Sequence, residues 1–391
     1  MKLLELTGLR GVAAFIVVIT HCQQFFFPYS HKDLEQFFQV IIYPFNTLAI
    51  AFFEFFYDGA FAVMVFWVLS GTVLSLKYFQ LVSQQDSRKT EVYLFFSAFK
   101  RYFRLAIPVL LSVITAYLLL YFGCLFNHEI GHLYPGEYGQ WIQGLFPDVA
   151  NVLEATRTAL WDTFFNYRDS TTYNPVLWTM EKEYMGSIVL FVSLAFLGRF
   201  ARYRAIFLVA VFALDALHIS WLAAFFAGML ISDYCVQYKT NRMRERDRLF
   251  IKRVTRIARN RFVVGSLVMV IVLLIGMPEY RGVSNLFLAC AVIAVSILSA
   301  PVRSFLSTPP LLWLGKISFG LYLSHLLLVA SASSALYLWL LSRLGYGFAG
   351  VTVTLVTIIL ALPIGWVFYV LGDKPALWFG RCLESCYRGS K

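Results

Sequence analysis

The chain has 391 residues, of which 59% are hydrophobic and only 14% are charged. Soluble domains usually carry about 25% charged residues. The composition therefore excludes an ordinary soluble domain, a disordered chain, a collagen and a small disulfide scaffold. With a mean hydropathy of +0.69 and 18% aromatic residues, it predicts an all-α membrane protein that crosses the bilayer many times.

Apolar windows that are long enough to cross a hydrocarbon core of about 30 Å, at about 1.5 Å per helical residue, recur along the chain. We predict about ten transmembrane helices, with nine to eleven as the range. They lie at residues 9–27, 60–79, 105–124, 177–197, 205–217, 219–235, 262–277, 285–302, 318–340 and 347–371. Segment 37–56 is apolar but contains Pro44, Asn46 and Glu54, which favours an interfacial or re-entrant piece.

Basic residues cluster on one side of this arrangement. The formal net charge is +11, and segment 236–261 alone holds ten Lys and Arg residues. By the positive-inside rule this segment is a cytoplasmic loop, and both termini are then cytoplasmic. No nucleic-acid-binding fold surrounds the cluster, so we expect membrane lipid and no nucleic acid as its neighbour. The whole chain, 1–391, is predicted to be one transmembrane domain with a long outer loop at 125–174.

The six cysteines form no C-x-x-C pair and lie mostly in or beside apolar windows. We therefore expect no disulfide framework.

The first predicted span carries two ionisable residues, Arg10 and His21, which are eleven positions apart. Eleven helical residues turn through about 1100°, about 20° more than three full turns, so both side chains share one face, about 16 Å apart along the axis. An imidazole inside a span is a functional-site hypothesis by default. The alternative is a histidine that is satisfied by packing.

The sequence around these residues, LTGLRGVAAFIVVITH at 6–21, resembles the opening signature of the acyltransferase 3 family of integral membrane acyltransferases. The hallmark of that family is an Arg or Lys and a His separated by ten residues, and Arg10 and His21 match it. Thr7 stands where the family has Asp.

Five further segments resemble elements of the same family in the same order, which makes the resemblance specific from residue 6 to residue 375. The segments are GAFAVMVFWVLSG at 59–71, KRYFRLAIP at 100–108, LWTMEKEYMGS at 177–187, WLGKISFGLYLSH at 313–325 and DKP at 373–375. The segment at 177–187 ends in Gly-Ser, and this form is similar to fungal members of the family.

Acyl transfer to an alcohol needs a base for the hydroxyl proton and a group that stabilises the oxyanion. Histidine suits the first role because its pKa lies near neutrality, and the resemblance also implies His21. Glu183 lies six residues into the fourth predicted span, at a depth comparable to His21, and is predicted to orient or charge-balance the imidazole. Glu181 competes for this role, and the alternative for Glu183 is a structural pair with Lys182 or Arg10. We count Arg10 among the catalytic residues.

The resemblance implies acyl-CoA, with acetyl-CoA expected, as a co-substrate and no bound cofactor. Lys100, Arg101 and Arg104 precede the third predicted span on the cytoplasmic side and suit the donor's phosphates, although such residues also bind anionic lipid. Tyr322 and His325, three positions apart on one helix face, are predicted to line the thioester path or bind the acyl group.

Residues 128–132 read H-E-I-G-H, which matches the zinc-protease pattern. That motif needs a helix, and we expect Gly131 and the following Pro135-Gly136 to break one here. We interpret the match as chance and expect no bound metal. A membrane zinc protease is therefore only the third-ranked function for this chain.

The sequence thus predicts a membrane-embedded O-acyltransferase that acylates a hydroxyl of a lipophilic small molecule in secondary-metabolite biosynthesis. O-acetylation of a polysaccharide or a lipid-linked sugar is the alternative acceptor class. A transporter is the alternative of another kind, but the inverted repeats typical of many transporters are not visible. We expect a multi-pass protein of the endoplasmic reticulum or another endomembrane rather than the plasma membrane.

Overall fold

The computed structural model describes residues 3–27, 55, 58–198, 200, 202–276 and 285–389. Within these ranges every regular element is helical, as the composition predicts. The segment at 37–56, predicted to be interfacial or re-entrant, lies outside the described residues apart from residue 55.

The main helices follow one another along the whole described chain. They are α1 (Leu4–Phe26), α2 (Gly59–Ser83), α3 (Ser87–Tyr121), α4 (Trp178–Leu197), α5 (Tyr203–Ala216), α6 (Ser220–Lys239), α7 (Glu245–Ile257), α8 (Arg261–Gly276), α9 (Asn285–Leu298), α10 (Ala300–Leu306), α11 (Pro309–Leu328), α12 (Ser334–Phe368) and α13 (Lys374–Gly389). Single helical turns and short helices lie at Asn127–His132, Gly136–Gln143, Val152–Arg157, Thr158–Asp162, Thr163–Phe165, Asp169–Thr171, Pro175–Leu177, Val329–Ser333 and Tyr369–Asp373.

Four helical stretches of the described chain are long and apolar enough to cross a membrane. Two bent helix pairs, α7 with α8 at 95° and α9 with α10 at 92°, bring the number to six if each pair is one span. These candidate spans are consistent with a membrane protein. The last stretch, Pro309–Leu383, is interrupted at Gly345, whose φ of 73° and ψ of 169° are not helical. This break falls between the predicted spans 318–340 and 347–371.

Helix α3 is longer than the sequence predicts. It begins at Ser87 rather than near residue 105 and runs for 35 residues, which is about 53 Å at 1.5 Å per residue. Lys100, Arg101 and Arg104 were predicted to precede a span, but they lie near the middle of this helix. The hydropathy window missed the first half because charged residues alternate with apolar ones there.

Contacts divide the chain into two units. The first comprises Met1–Ala13, Ala51–Arg101 and Lys182–Gly315, and the second comprises Ala14–Ile50, Tyr102–Glu181 and Lys316–Lys391. The division falls within α1, α3, α4 and α11, so these four helices contribute residues to both units.

In the first unit, glycines let helix backbones touch. A Cβ atom at Gly71 of α2 would lie 2.1 Å from the carbonyl oxygen of Phe225 on α6, and one at Gly228 would lie 2.1 Å from that of Val68. Only glycine fits such approaches, which are common between membrane helices.

The first turns of α1 pack equally closely. A Cβ atom at Gly8 would lie 1.9 Å from the carbonyl oxygen of Leu306, and one at Gly315 would lie 1.9 Å from that of Thr7. Gly11 also faces the backbone of Gly315, at 2.6 Å. Gly11 and Gly315 are therefore explained by the crossing of α1 and α11, and Gly8 by the contact of α1 with the end of α10.

In the second unit, the segment 125–174, which the sequence predicts to be an outer loop, closes over the end of α1. The hydroxyls of Tyr134 and Tyr138 donate to the carbonyl oxygens of Phe25 and Gln24, both at 2.7 Å. These are carbonyls of the last helical turn, which have no partner within the helix. Burial raises the pKa of Tyr134 above its ordinary value, so its hydroxyl remains a donor.

The end of the outer loop is buried deep in the second unit. The Asn174 amide donates to Ser112 Oγ on α3 and to the carbonyl oxygen of Leu323, both at 2.8 Å, and Asn174 is fully buried. Ser112 lies nine residues before the end of α3 at Tyr121, which is about 14 Å along its axis. Irregular backbone is tolerated at such depth where protein covers it.

Candidate active site

Two histidines meet in the second unit. His21 Nδ1 lies 3.1 Å from His325 Nε2, and the ring centroids are 4.8 Å apart. His325 is fully buried, whereas His21 is half-buried. The pairing joins α1 to α11, because His21 is in the last turns of α1 and His325 near the end of α11.

Backbone carbonyls decide where the protons of these rings lie. His21 Nδ1 is 2.9 Å from the carbonyl oxygen of Val17, and His325 Nδ1 is 3.1 Å from that of Leu321. A carbonyl oxygen only accepts hydrogen bonds, so we assign a proton to Nδ1 of each ring. His325 Nε2 then carries a lone pair and is a second acceptor of the His21 Nδ1–H, which it shares with the Val17 carbonyl oxygen.

This assignment leaves a lone pair on His21 Nε2. Among the described residues, no hydrogen-bond partner of this atom is found. A neutral imidazole with an unoccupied Nε2 and a hydrogen-bonded Nδ1–H has the arrangement of a general base, in which the second nitrogen fixes the tautomer and the ring orientation.

Tyr322 lies beside the histidine pair, with its ring centroid 5.8 Å from that of His325. Its hydroxyl donates to the carbonyl oxygen of Val176 at 2.9 Å and shares a 2.8 Å hydrogen bond with Thr179 Oγ1. These bonds fix the start of α4 against α11. The predicted neighbours Tyr322 and His325 therefore share one buried surface.

Arg104 is paired within the second unit. Its Nη1 atom donates to Asp373 Oδ1 at 2.6 Å, and its guanidinium lies 5.9 Å from the ring centroid of Phe319. Asp373 is the acidic residue of the DKP segment, and it is buried. The ion pair connects two segments that resemble family elements, 100–108 and 373–375.

Arg101 and Glu183 form an ion pair in the first unit, and each side chain is only 13% exposed. Arg101 Nε also donates to Ser187 Oγ at 2.8 Å, and Ser70 Oγ donates to Glu183 Oε1 at 2.5 Å. The structure thus gives Glu183 a cationic partner other than Lys182 or Arg10, the two that were considered from the sequence. Ser70 and Ser187 belong to the segments 59–71 and 177–187.

The remaining predicted residues lie on the same helices. Arg10 is half-buried on α1, and Lys100 is half-buried next to Arg101 on α3. Glu181, the competitor of Glu183, is half-buried in the first turn of α4.

The prediction that Gly131 breaks the helix of the H-E-I-G-H motif is wrong. Asn127–His132 is helical, and a Cβ atom at Gly131 would lie 2.6 Å from the carbonyl oxygen of Gly139, so the glycine is there for packing. His128 is exposed and lies 3.5 Å from Asp148. In the described ranges, no three His, Cys, Asp or Glu side chains are placed to hold a metal ion.

Sequence reasoning missed the partners of the predicted residues. Asn174, Ser70, Ser187 and Asp373 all lie in or next to segments that resemble family elements, but spacing along the chain does not reveal which segments touch. A pair of opposite charges in two such segments, as in Arg104 and Asp373, was the one available signal.

Three comparisons with known proteins bear on the chain. The model of the acyltransferase 3 family, described as an acyltransferase domain, matches residues 3–370. The chain is 24% identical over 396 residues to "Acyltransferase R4" of Phoma sp., covering 85% of this chain and 81% of that protein. It is 27% identical over 249 residues to "O-acetyltransferase PaAT-1" of Phomopsis amygdali, covering 58% of this chain and 48% of that protein. No solved structure matches.

Proposed function

Because this chain belongs to the acyltransferase 3 family and is an acyltransferase, we propose that it moves an acyl group from acyl-CoA to a hydroxyl of a lipophilic small molecule. The observation that carries the proposal is the histidine pair, with the Nε2 atom of His21 available as a base. Family membership also decides against the transporter considered from the sequence.

In the proposed reaction, His21 Nε2 takes the proton of the acceptor hydroxyl as its oxygen attacks the thioester carbonyl carbon. The new C–O bond forms, the C–S bond breaks, and the imidazolium returns the proton to the leaving thiolate of CoA. His325 remains neutral and accepts from His21 Nδ1–H throughout, so it holds the ring in the tautomer that the base requires. No external base or redox partner is needed.

The donor is held, in this proposal, by the cationic residues of α1 and α3. Arg10 shares a helix with His21 and is assigned to placing the donor. Lys100, Arg101 and Arg104 are assigned to its phosphates. Lys100 offers an ammonium group, and each arginine has five N–H donors, more than one ion pair uses. Tyr322 and His325 are assigned to the wall of the thioester path.

The acceptor and the acyl group are proposed from the relatives. Both are named acyltransferases of fungi, and one name specifies acetyl transfer to oxygen. We therefore propose acetyl-CoA as the donor and a lipophilic intermediate of secondary metabolism as the acceptor, with a polysaccharide or lipid-linked sugar as the second acceptor class. The protein would lie in an endomembrane with about ten spans and both termini in the cytosol.

Purified protein in lipid nanodiscs, incubated with radiolabelled acetyl-CoA and a panel of hydroxylated lipophilic compounds and sugars, tests the proposal. We expect label to appear in a lipophilic alcohol, with wild-type protein only, and to be lost in a His21→Ala variant that inserts normally. Label in sugars alone would favour the second acceptor class. No transfer to any acceptor, with the protein intact and acetyl-CoA unconsumed, would contradict acetyl-CoA as the donor.

A further inference from the structure

A cavity of about 500 Å³ lies in the first unit, beyond the residues discussed so far. It is bounded by the end of α2, the start of α5 and the segment between α6 and α7. Four arginines contribute to its lining, Arg202, Arg204, Arg242 and Arg244, against two aspartates, Asp233 and Asp247. Its size is that of an ordinary small-molecule site.

One of these arginines is held in place by a buried carboxylate. Asp233, which is 3% exposed, accepts from Arg204 Nε at 2.6 Å and from the Tyr203 hydroxyl at 2.8 Å. The bond occupies Nε only, and the Arg204 side chain is 45% exposed. Its two terminal amino groups therefore remain available to a ligand, in the fork geometry that suits phosphate.

The charge of Asp233 is neutralised by this pair, so the other three arginines determine the charge of the cavity. Arg202, Arg242 and Arg244 are exposed, and in the described part of the chain no carboxylate pairs with them. The first residues of α5 also line the cavity, and the positive end of that helix adds to the potential. A single further acid, Asp247, faces three cations.

We propose that this cavity binds the phosphorylated adenosine end of acyl-CoA. That end carries a ribose phosphate and a diphosphate, which match a cavity with several arginines that no acid neutralises. This site would replace the assignment of the donor's phosphates to Arg101 and Arg104, because each of these two side chains is largely buried and already paired with a carboxylate. The inference rests on the proposed function, because it takes acyl-CoA as the donor.

The position of the cavity in the chain fits this ligand. The surrounding segments are those that the positive-inside rule assigns to the cytosol, where acyl-CoA is made.

The phosphate of an anionic lipid headgroup has the same chemistry, so the test must separate the two sources. Full-length protein is reconstituted in nanodiscs of phosphatidylcholine, with and without phosphatidylserine. The test variant is Arg242→Gln with Arg244→Gln. The matched control is Lys252→Gln with Arg253→Gln, which removes the same charge from the same basic loop at residues that do not line the cavity.

Binding of adenosine 3′,5′-diphosphate is measured by calorimetry, and KM is measured for acetyl-CoA and for acetyl-pantetheine, which lacks the nucleotide. We expect the test variant to bind the nucleotide about 100-fold more weakly, or roughly tenfold for each charged hydrogen bond lost. Its KM for acetyl-CoA should rise, its KM for acetyl-pantetheine should not, and the control should resemble wild type.

Equal nucleotide affinity in wild type, test and control variants would overturn the proposal. So would a wild-type protein that binds no nucleotide but retains phosphatidylserine through Arg242 and Arg244, which would make the cavity a lipid site. Nucleotide binding that depends on these arginines, in a protein that transfers no acetyl group, would support the site and contradict the proposed function, so the two failures are distinguishable.

Discussion

Two carbonyl oxygens set the chemistry of the histidine pair at the scale of single residues. Val17 and Leu321 each lie one turn before their histidine, at the i−4 position, and accept its Nδ1–H. In the proposed mechanism, His325 takes the place that a carboxylate has in a hydrolase triad. A neutral ring orients the base but stabilises the imidazolium less than a carboxylate would, which suits a step in which the proton is soon passed to the thiolate.

Replacing His21 tests the base directly. His21→Ala should lower kcat by about 10²–10⁴-fold, the usual contribution of a positioned acid–base group, while the protein still inserts because the change removes a polar group from a span. His128→Ala is the control, since His128 is an exposed outer-loop residue, and it should retain wild-type activity. Normal turnover by well-inserted His21→Ala protein would contradict the mechanism.

His325 should act through the orientation of His21. His325→Leu removes one of the two acceptors of the His21 Nδ1–H and leaves only the Val17 carbonyl oxygen, whereas His325→Gln offers a side-chain carbonyl oxygen in its place. We expect kcat to fall about tenfold in the first, which is less than the roughly 10²–10⁴-fold loss for a group that moves the proton itself. In the second, kcat should recover in part, and the donor KM should be unchanged in both. A change confined to the donor KM would instead indicate that His325 only lines the thioester path.

The ion pair of Arg101 and Glu183 has a structural role that can be separated from donor binding. Glu183→Gln leaves a poorly solvated guanidinium without its counter-charge, and breaking such a pair costs about 3 kcal/mol. Glu183→Gln combined with Arg101→Gln should restore much of the thermal stability in nanodiscs. If Arg101 also binds a donor phosphate, the double variant should keep a raised KM for acyl-CoA. If the double variant recovers both the thermal stability and the wild-type KM for acyl-CoA, the ion pair has a purely structural role.

The sequence singled out His21, His325, Arg101 and Glu183, but not how they pair. Helical periodicity placed Arg10 with His21 and Tyr322 with His325, because those relations are local to one helix. The contacts of His21 with His325 and of Arg101 with Glu183 join residues more than eighty positions apart. They depend on helix crossings, which in turn depend on glycines such as Gly11 and Gly315. A hydropathy profile does not predict which helices such glycines bring into contact.

At the scale of helices, backbone contacts at glycine determine which pairs cross. Gly71→Val should place a branched side chain against the Phe225 carbonyl, where even a Cβ would lie 2.1 Å away. Overpacking typically costs about 1–3 kcal/mol, and a clash with backbone belongs at the upper end. We therefore expect Gly71→Val to lower the thermal stability and the yield of folded protein, both measured by fluorescence-detected size exclusion.

Gly265 is the matched control for Gly71. It lies within α8, and no atom is found within 4 Å of a Cβ built there. Gly265→Val should therefore leave stability near that of wild type. Equal losses in both variants would indicate a general cost of valine in these helices, rather than a specific contact of α2 with α6.

Helix positions followed from the sequence where apolar runs are uninterrupted. The predicted spans 177–197 and 219–235 agree with α4 and α6 to within a few residues. The first half of α3 and all of α7 were not predicted as helices, because both mix charged with apolar residues. Helix α7 is basic and has no buried residue, so only its periodicity, and not its mean hydropathy, marks it as helical.

For the molecule as a whole, the bend between α7 and α8 fits a basic helix that lies along a membrane surface. The two helices meet at 95°, so if α8 crosses the membrane, α7 lies along its surface. Phe250 and Ile257 of α7 are exposed beside several arginines. Such a helix suits an anionic cytoplasmic leaflet.

Cysteine accessibility tests this sidedness. In a variant without native cysteines, Thr240→Cys in the basic loop and Glu137→Cys in the outer loop are placed at exposed positions. Glu137 is preferred to its neighbour Gly136, whose φ of +72° disfavours any residue with a Cβ. In sealed microsomes, an impermeant maleimide should label Thr240→Cys at once and Glu137→Cys only after permeabilisation.

Because an even number of spans separates the two termini in a ten-span protein, labels at the N- and C-termini should behave like Thr240→Cys. Labelling of both cysteines from the same side would contradict the ten-span arrangement, since residues 137 and 240 are predicted to be separated by three spans.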